Sequence, residues 1–151
     1  MNRLEARVTA FMKRVWVLGD IDAAHEMMAA DAVTSGLEAE TLEGPSDYLR
    51  YHRMIARQFD NIAYRTLQAV ENDNWVAIMG EMSGVEIRSG RRVCVRLHYM
   101  MRFEDDLITE ISSLVDFLSL FEQVGRLPPR TLDLCLMEQR LEVQPRTERA
   151  S

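Results

Sequence analysis

Asp116 is the residue whose type and surroundings best fit chemistry, because it is a single carboxylate inside an otherwise apolar stretch. No lysine or arginine lies within six residues of it, so no sequence neighbour can pair with its charge. Burial among apolar groups raises the pKa of a carboxyl and suits it to act as a general base. Asp116 could instead cap a helix predicted to begin at Phe117, by accepting amide hydrogens two or three residues on. The sequence leaves both roles open.

Two further carboxylates lie on predicted strands and are candidates for a pocket wall. Glu110 shares the strand parity of Asp116, but six residues at about 3.3 Å each separate them by roughly 20 Å, which excludes a carboxylate pair. A bulge at residues 112–113 could re-aim one of them. Glu81 lies in the middle of another strand and shares a face with Met79. We therefore predict Glu81, Glu110 and Met79 as ligand-binding residues.

Tyr99 and Tyr64 have the inward parity of their predicted strands. A phenol hydroxyl facing a pocket could donate a hydrogen bond to a developing enolate oxygen, which makes Tyr99 a second catalytic candidate and Tyr64 a ligand-binding one. Either ring could equally be core with a satisfied hydroxyl. The chain has ten methionines, a soft and adaptable lining for a flat hydrophobic ligand, and Met101 belongs to the same inward set.

Several reaction classes have no basis in the sequence. Lys13 is the only lysine and falls on a polar helix face, which disfavours Schiff-base catalysis. His25 and His52 lie on separate helices without a second ligand at helical spacing, and His98 is predicted on the outer sheet face. The chain also lacks a glycine-rich phosphate loop and a nucleophile elbow. We expect neither a metal nor an organic cofactor.

Composition predicts one globular domain with a single core, because the chain has 151 residues and is 47% hydrophobic. A net charge of −6 disfavours general binding to nucleic acid or anionic membranes. Without an apolar run of membrane length or a secretory leader, a cytoplasmic location is expected, with both cysteines reduced. Five arginines around one predicted strand indicate a solvated or subunit-contact face: Arg88, Arg91, Arg92, Arg96 and Arg102.

Helices are predicted first along the chain. Apolar residues at spacings of three and four predict an amphipathic helix over residues 3–18, which Gly19 ends. Asp20 can cap a second short helix, and Gly44-Pro45 opens a third that runs to about Phe59.

Strands follow from residue 61, where the apolar period becomes two. Polar turns separate four long strands, which favours antiparallel hairpins. The clearest alternation is Val93, Val95, Leu97, Tyr99, Met101 and Phe103. Helices before a curled antiparallel sheet predict an α+β fold, in which the helices close the concave face of a cone that is open at one end.

The chain resembles the nuclear transport factor 2-like superfamily, which has a cystatin-like fold, and within it the SnoaL-like polyketide cyclases and their ketosteroid isomerase relatives. The resemblance spans about residues 5–128. It rests on the order of these features: Trp16-x-x-Gly19-Asp20, Gly44-Pro45, the Asn-Asp-Asn turn into Trp75, Gly84, Gly90 and the segment from Asp116 to Pro128. In those cyclases, an aspartate at the position of Asp116 is the general acid/base of an aldol closure without metal. The family histidine is replaced by Met101, and the family His-Trp pair by residues 111–112.

The resemblance implies a cofactor-independent cyclase or isomerase acting on a hydrophobic, polyketide- or steroid-like carbonyl compound. The alternative is a non-catalytic binding or dimerisation module of the same fold, since this fold hosts many activities. We assign residues 1–130 to the SnoaL-like domain and residues 131–151 to an extension with one short helix and a disordered tail. A homodimer through the outer sheet face is expected.

Overall fold

The structure is a computed structural model that describes residues 2–145. Two helices come first along the chain, followed by two strands, a third helix, four long strands and two short helices. The α-helices are α1 Arg3–Met12, α2 Asp22–Met27, α3 Gly44–Ala56, α4 Phe117–Gln123 and α5 Thr131–Leu136. The strands are β1 Met28–Ser35, β2 Leu42–Glu43, β3 Phe59–Asn72, β4 Trp75–Glu86, β5 Arg92–Glu104 and β6 Leu107–Val115.

The first helix continues past α1 as a π-helical turn, Lys13–Val17. The Leu18 amide donates to the Lys13 carbonyl at 2.9 Å, five residues back, which widens the turn. Both Val15 and Trp16 are buried in consequence. Gly19 then ends the helix with a φ of +67°, a conformation that glycine adopts without strain.

The six strands form one curved sheet in the order β2-β1-β6-β5-β4-β3. The neighbours β3, β4, β5 and β6 are antiparallel, as the turn residues between them predict, whereas β1 joins β6 in parallel. On β5, every residue of the predicted inward set is buried. The α+β fold with helices on the concave face is therefore confirmed.

The predicted inward face of β4 is wrong. Val76, Ile78 and Gly80 point to the core, so Met79 and Glu81 lie on the outer face. The reason is the glycine: a Cβ at Gly80 would come within 3.1 Å of the Tyr64 ring. The Tyr64 ring fills the core next to Gly80, so no large apolar side chain is needed there. The inward face of β4 therefore contains a glycine, which makes it look less apolar in the sequence.

The parity along β6 also differs from the prediction. Arg102 pairs with Glu110 and Phe103 with Ile108, so Thr109 is an extra residue that forms a bulge. Beyond it, Ile111 and Ser113 point inward. A bulge was considered at residues 112–113, but it occurs three residues earlier, at Thr109. It turns every later even-numbered residue of β6 outward.

Residues 131–145 contain one short helix, α5, from Thr131 to Leu136. Its Leu132 amide donates to the Glu122 carboxylate of α4 at 2.8 Å. The predicted tail falls partly on residues 146–151, which lie outside the described residues. Among residues 2–145, no helix combines the length and the apolar character needed to cross a membrane.

Candidate functional site

A cavity of about 100 Å³ lies between the concave face of the sheet and the helices. Its wall is almost entirely apolar and comes from α1, the π-helical turn, α3, β3 to β6 and α4. The polar side chains that line it are Trp16, Tyr48, Tyr51, Ser83, Tyr99 and Ser113. A concave apolar site with a few polar groups is the usual form of a small-molecule pocket.

Tyr99 lines the pocket, and Met101 lines it two residues further along β5. The Tyr99 hydroxyl is hydrogen-bonded to the hydroxyl of Tyr64. Tyr64 in turn contacts Thr66 Oγ1 at 2.9 Å, and Thr66 contacts Thr9 Oγ1 at 3.2 Å. Four hydroxyls therefore form a chain that starts at the pocket.

Burial raises the pKa of Tyr99, and the neighbouring Tyr64 raises it further. Burial also raises the pKa of Tyr64. Both phenols therefore stay protonated at neutral pH, which is the state in which a hydroxyl can donate to a carbonyl or enolate oxygen. Tyr64 points inward but does not line the pocket, so it supports Tyr99 instead of facing a ligand.

The helical wall contributes three aromatic residues that were not predicted as site residues: Trp16, Tyr48 and Tyr51. The Trp16 indole N–H donates to the Tyr48 hydroxyl at 2.8 Å, and Tyr51 lies on the same helix as Tyr48. Burial raises the pKa of Tyr51 to about 12, with a further contribution from the Glu38 carboxylate. The helical spacing of Tyr48, Tyr51 and Ile55 was the sequence signal for this wall.

Asp116 is exposed and lies outside the residues that line the pocket. Its carboxylate accepts a hydrogen bond from the Ser119 amide at 3.0 Å, which makes it the N-cap of α4. Its own amide donates to the Arg96 carbonyl at 3.1 Å. The predicted capping role is therefore present. The residues on either side of it, Val115 and Phe117, do line the pocket.

The remaining predicted ligand-binding residues are not in the pocket wall. Glu81 accepts a hydrogen bond from Arg65 at 2.7 Å on the outer sheet face, and this bond is the main reason that the pKa of Glu81 is lowered. Met79 contacts Arg96 on the same face. Glu110 pairs with Arg102 at 3.4 Å. The predicted inward positions of Glu81, Met79 and Glu110 are thus corrected.

No group of three or more histidine, cysteine, aspartate or glutamate side chains is arranged to hold a metal ion within residues 2–145.

Solved structures with the same fold are numerous. TsrD from Streptomyces laurentii is 20% identical, with a TM-score of 0.70, and the match covers 84% of this chain and 99% of TsrD. IdmH from Streptomyces antibioticus, provisionally named a polyketide cyclase, is 21% identical with a TM-score of 0.69, covering 82% and 99%. AclR from Streptomyces galilaeus, provisionally named a hydroxylase, is 17% identical with a TM-score of 0.72, covering 89% of each chain.

No curated protein matches the chain. The family model for the SnoaL-like domain matches residues 8–111. These residues run from α1 to the inward part of β6 and contain most of the pocket wall. With the fold and the match in agreement, the chain belongs to the SnoaL-like domain family of the nuclear transport factor 2-like superfamily.

Proposed function

We propose that the chain binds a small hydrophobic carbonyl compound, polyketide- or steroid-like, in the pocket between the helices and the sheet. The observation that carries this proposal is the wall itself, which is apolar apart from hydroxyls and an indole. A charged ligand would lose its hydration there without a counter-charge, whereas a flat apolar molecule would gain from burial.

Tyr99 is the group that would orient such a ligand. Its hydroxyl can donate to a carbonyl oxygen while accepting from Tyr64, which in turn can accept from Thr66. A hydrogen bond supported in this way is stronger than an isolated one, because each bond in a chain polarises the next.

Turnover is the second candidate function, as a cyclase or isomerase that needs no cofactor. In this reaction Asp116 would remove a proton from the carbon beside the carbonyl, and Tyr99 would stabilise the enolate oxygen. In a cyclisation, the enolate carbon would attack a second carbonyl, and the alkoxide formed there would take the proton back from Asp116. In an isomerisation, Asp116 would return the proton to a different carbon of the conjugated enolate. The position of Asp116 between two pocket-lining residues favours this candidate. The carboxylate would first have to leave the Ser119 amide, which favours simple binding.

Asp116→Asn and Asp116→Ala separate the capping role of Asp116 from a chemical role. Asparagine caps a helix about as well as aspartate, so the variant should keep the melting temperature and the ligand affinity of the native protein. Alanine cannot cap, and Asp116→Ala should lower the free energy of unfolding by about 1 kcal/mol. Thermal unfolding and ligand titration of the three proteins would measure both effects.

The functional experiment is a panel of aromatic polyketides and steroids, assayed for binding and for product. We expect at least one compound to bind the native protein, and Tyr99→Phe to weaken that binding about tenfold, the effect of one lost buried hydrogen bond. Product formed by native protein and lost in Asp116→Asn would establish turnover with Asp116 as base. If no compound binds any of these proteins, the ligand proposal is wrong.

We also propose a homodimer through the outer sheet face, where Val70 of β3, Met100 of β5 and Leu114 of β6 are exposed and line one shallow groove. An apolar patch of this kind is unusual on a free monomer surface. Leu114→Glu should raise the dimer dissociation constant at least tenfold, because it places a charge in the contact.

Leu18→Glu is the matched control for that substitution. Leu18 and Leu114 are both 74% exposed, but Leu18 follows the π-helical turn, which packs on the concave face and not on the outer face of the sheet. Sedimentation equilibrium of native, Leu114→Glu and Leu18→Glu proteins would compare the three. A native protein that is monomeric, or a dimer that both variants weaken equally, would contradict the proposal.

A further inference from the structure

Two hydroxyl groups of the pocket wall are not used by the proposed function. They belong to Tyr51 of α3 and Ser113 of β6, and both residues line the pocket. The other two tyrosines of the wall, Tyr48 and Tyr99, each have a hydrogen-bond partner. The side-chain oxygens of Tyr51 and Ser113 make no hydrogen bond with any of residues 2–145. Native proteins leave few buried polar groups without a partner, and a ligand is one explanation for unpaired hydroxyls on a pocket wall.

Both oxygens have surface that a ligand can reach. Tyr51 is 5% exposed and Ser113 is 7% exposed, so neither side chain is open to bulk solvent. Within the described part of the chain, the unpaired polar side-chain atoms with essentially no accessible surface belong to Arg7 and His52. The oxygens of Tyr51 and Ser113 are not in that group, so each retains accessible surface. Since both residues line the pocket, a molecule inside it can contact them.

The loop after β1 lies beside both hydroxyls. Gly36 packs on β6, because a Cβ built there would lie 1.9 Å from the Ser113 carbonyl oxygen. The next residue, Leu37, lines the pocket, and the Glu38 carboxylate is close enough to contribute to the raised pKa of Tyr51. Three consecutive residues of one loop therefore reach from Ser113 to the surroundings of Tyr51, which places both hydroxyls on the same side of the pocket.

The hydroxyl of Ser113 is separate from that of Tyr99. The two residues are directly opposite each other on β6 and β5, and both are buried on the concave face. The Tyr99 hydroxyl bonds Tyr64 of β3, however, and β3 and β6 lie on opposite sides of β5 in the sheet. The phenol oxygen is also at the far end of a ring, whereas the serine oxygen is one bond beyond Cβ. The pocket therefore has two polar positions, one at Tyr99 and one at Ser113 and Tyr51.

We infer that Tyr51 and Ser113 form a second polar subsite, which binds a second oxygen of the ligand. The phenol of Tyr51 donates a hydrogen bond to that oxygen, and the Ser113 hydroxyl donates another or accepts one from a ligand hydroxyl. This inference rests on the proposed ligand-binding function. It narrows the ligand to flat apolar compounds with two oxygen substituents, one at Tyr99 and one at the subsite. Tyr51 is in this role a specificity-determining residue.

The test compares 2-naphthol with 1,6-, 1,7-, 2,6- and 2,7-dihydroxynaphthalene, each of which is 2-naphthol with one additional hydroxyl on the other ring. Affinities are measured by titration for the native protein, Tyr51→Phe and Ser113→Ala. We expect the native protein to prefer at least one dihydroxynaphthalene over 2-naphthol about tenfold, which is the effect of one buried hydrogen bond. Tyr51→Phe should lose that preference and keep its affinity for 2-naphthol, since Tyr99 can still bind a single hydroxyl. Ser113→Ala should reduce the preference.

Ser112→Ala is the matched control for Ser113→Ala, because Ser112 is the neighbouring residue of β6 and is exposed on the outer face. This variant should keep the native preference. The subsite alone would be refuted by an unchanged preference in Tyr51→Phe and Ser113→Ala, or by equal losses in the two serine variants. A native protein that binds 2-naphthol without preferring any of the four dihydroxynaphthalenes would refute it too. Failure of all five compounds to bind the native protein would refute the pocket proposal and the subsite with it.

Discussion

Replacing Gly36 with alanine is expected to lower the free energy of unfolding by about 3 kcal/mol, combining left-handed strain with overpacking. Gly36 has a φ of +92°, and a Cβ built there would lie 1.9 Å from the Ser113 carbonyl oxygen. The added Cβ is bonded directly to the backbone of residue 36, and the oxygen belongs to the backbone of Ser113. The loop that contains residue 36 or strand β6 therefore has to move. Leu37, the next residue, lines the pocket, and ligand affinity should fall along with stability.

Gly90→Ala is the control for that experiment. Gly90 also has a positive φ, of +69°, but nothing lies within 4 Å of the position of its Cβ. The free energy of unfolding of this variant should fall only by the cost of the left-handed conformation, about 1–2 kcal/mol. Its ligand affinity should equal that of the native protein. Urea unfolding with ligand titration measures both variants. Equal losses of stability in the two would mean that the contact between residue 36 and β6 is not tight in solution.

Replacing Arg126 with methionine is expected to cost about 1–2 kcal/mol at pH 7, because it removes the cation beside a buried carboxylate. Glu86 is 3% exposed and accepts a hydrogen bond from Arg126 at 2.9 Å. The Arg126 side chain is 46% exposed, so solvent screens part of the attraction and keeps the effect below that of a fully buried pair. Arg126 also donates to the Gln58 side chain, which connects the segment after α4 with the turn between α3 and β3.

The effect of Arg126→Met should depend on pH in a defined direction. Hydrogen bonding from Ser89, and then the charge and hydrogen bond of Arg126, hold the pKa of Glu86 below its ordinary value of 4.5. A carboxyl with a lowered folded pKa adds stability above the unfolded value, and that stability is lost as the pH falls through the folded value. The difference between native and Arg126→Met proteins should therefore shrink below pH 4.5.

Arg130→Met provides the comparison, since Arg130 pairs with Asp133 at 3.2 Å and both side chains are more than half exposed. Exposed pairs contribute between about 0 and 1 kcal/mol, so this variant should stay close to native stability. Unfolding free energies at several pH values would separate the two arginines. A loss for Arg126→Met that stays constant from pH 7 to pH 3 would exclude the Glu86 charge as its cause.

The sequence by itself determined the order of the elements from α3 to α4 and the inward face of β5. Alternation on β5 is regular from Val93 to Phe103, and a period of two leaves one possible face for the core. This alternation located Tyr99 and Met101 on the pocket wall. The start of α4 and the possibility that Asp116 caps it also followed from local residues, because a cap depends only on groups within three positions; the structure contains that hydrogen bond.

Only the tertiary structure decided which carboxylates reach the pocket and which aromatic residues form its far end. The bulge at Thr109 turns Asp116 outward. No sequence pattern near Asp116 predicts this extra residue, which lies seven positions earlier. The ring of Tyr64 fills the space over Gly80 and so hides the inward face of β4. His52 meets Trp16 across 36 positions of chain, since the two helical segments come together only when both pack on the sheet. Local periodicity fixes which way a residue points within its own element, whereas contacts between elements depend on side-chain volumes and registers that the whole fold sets at once.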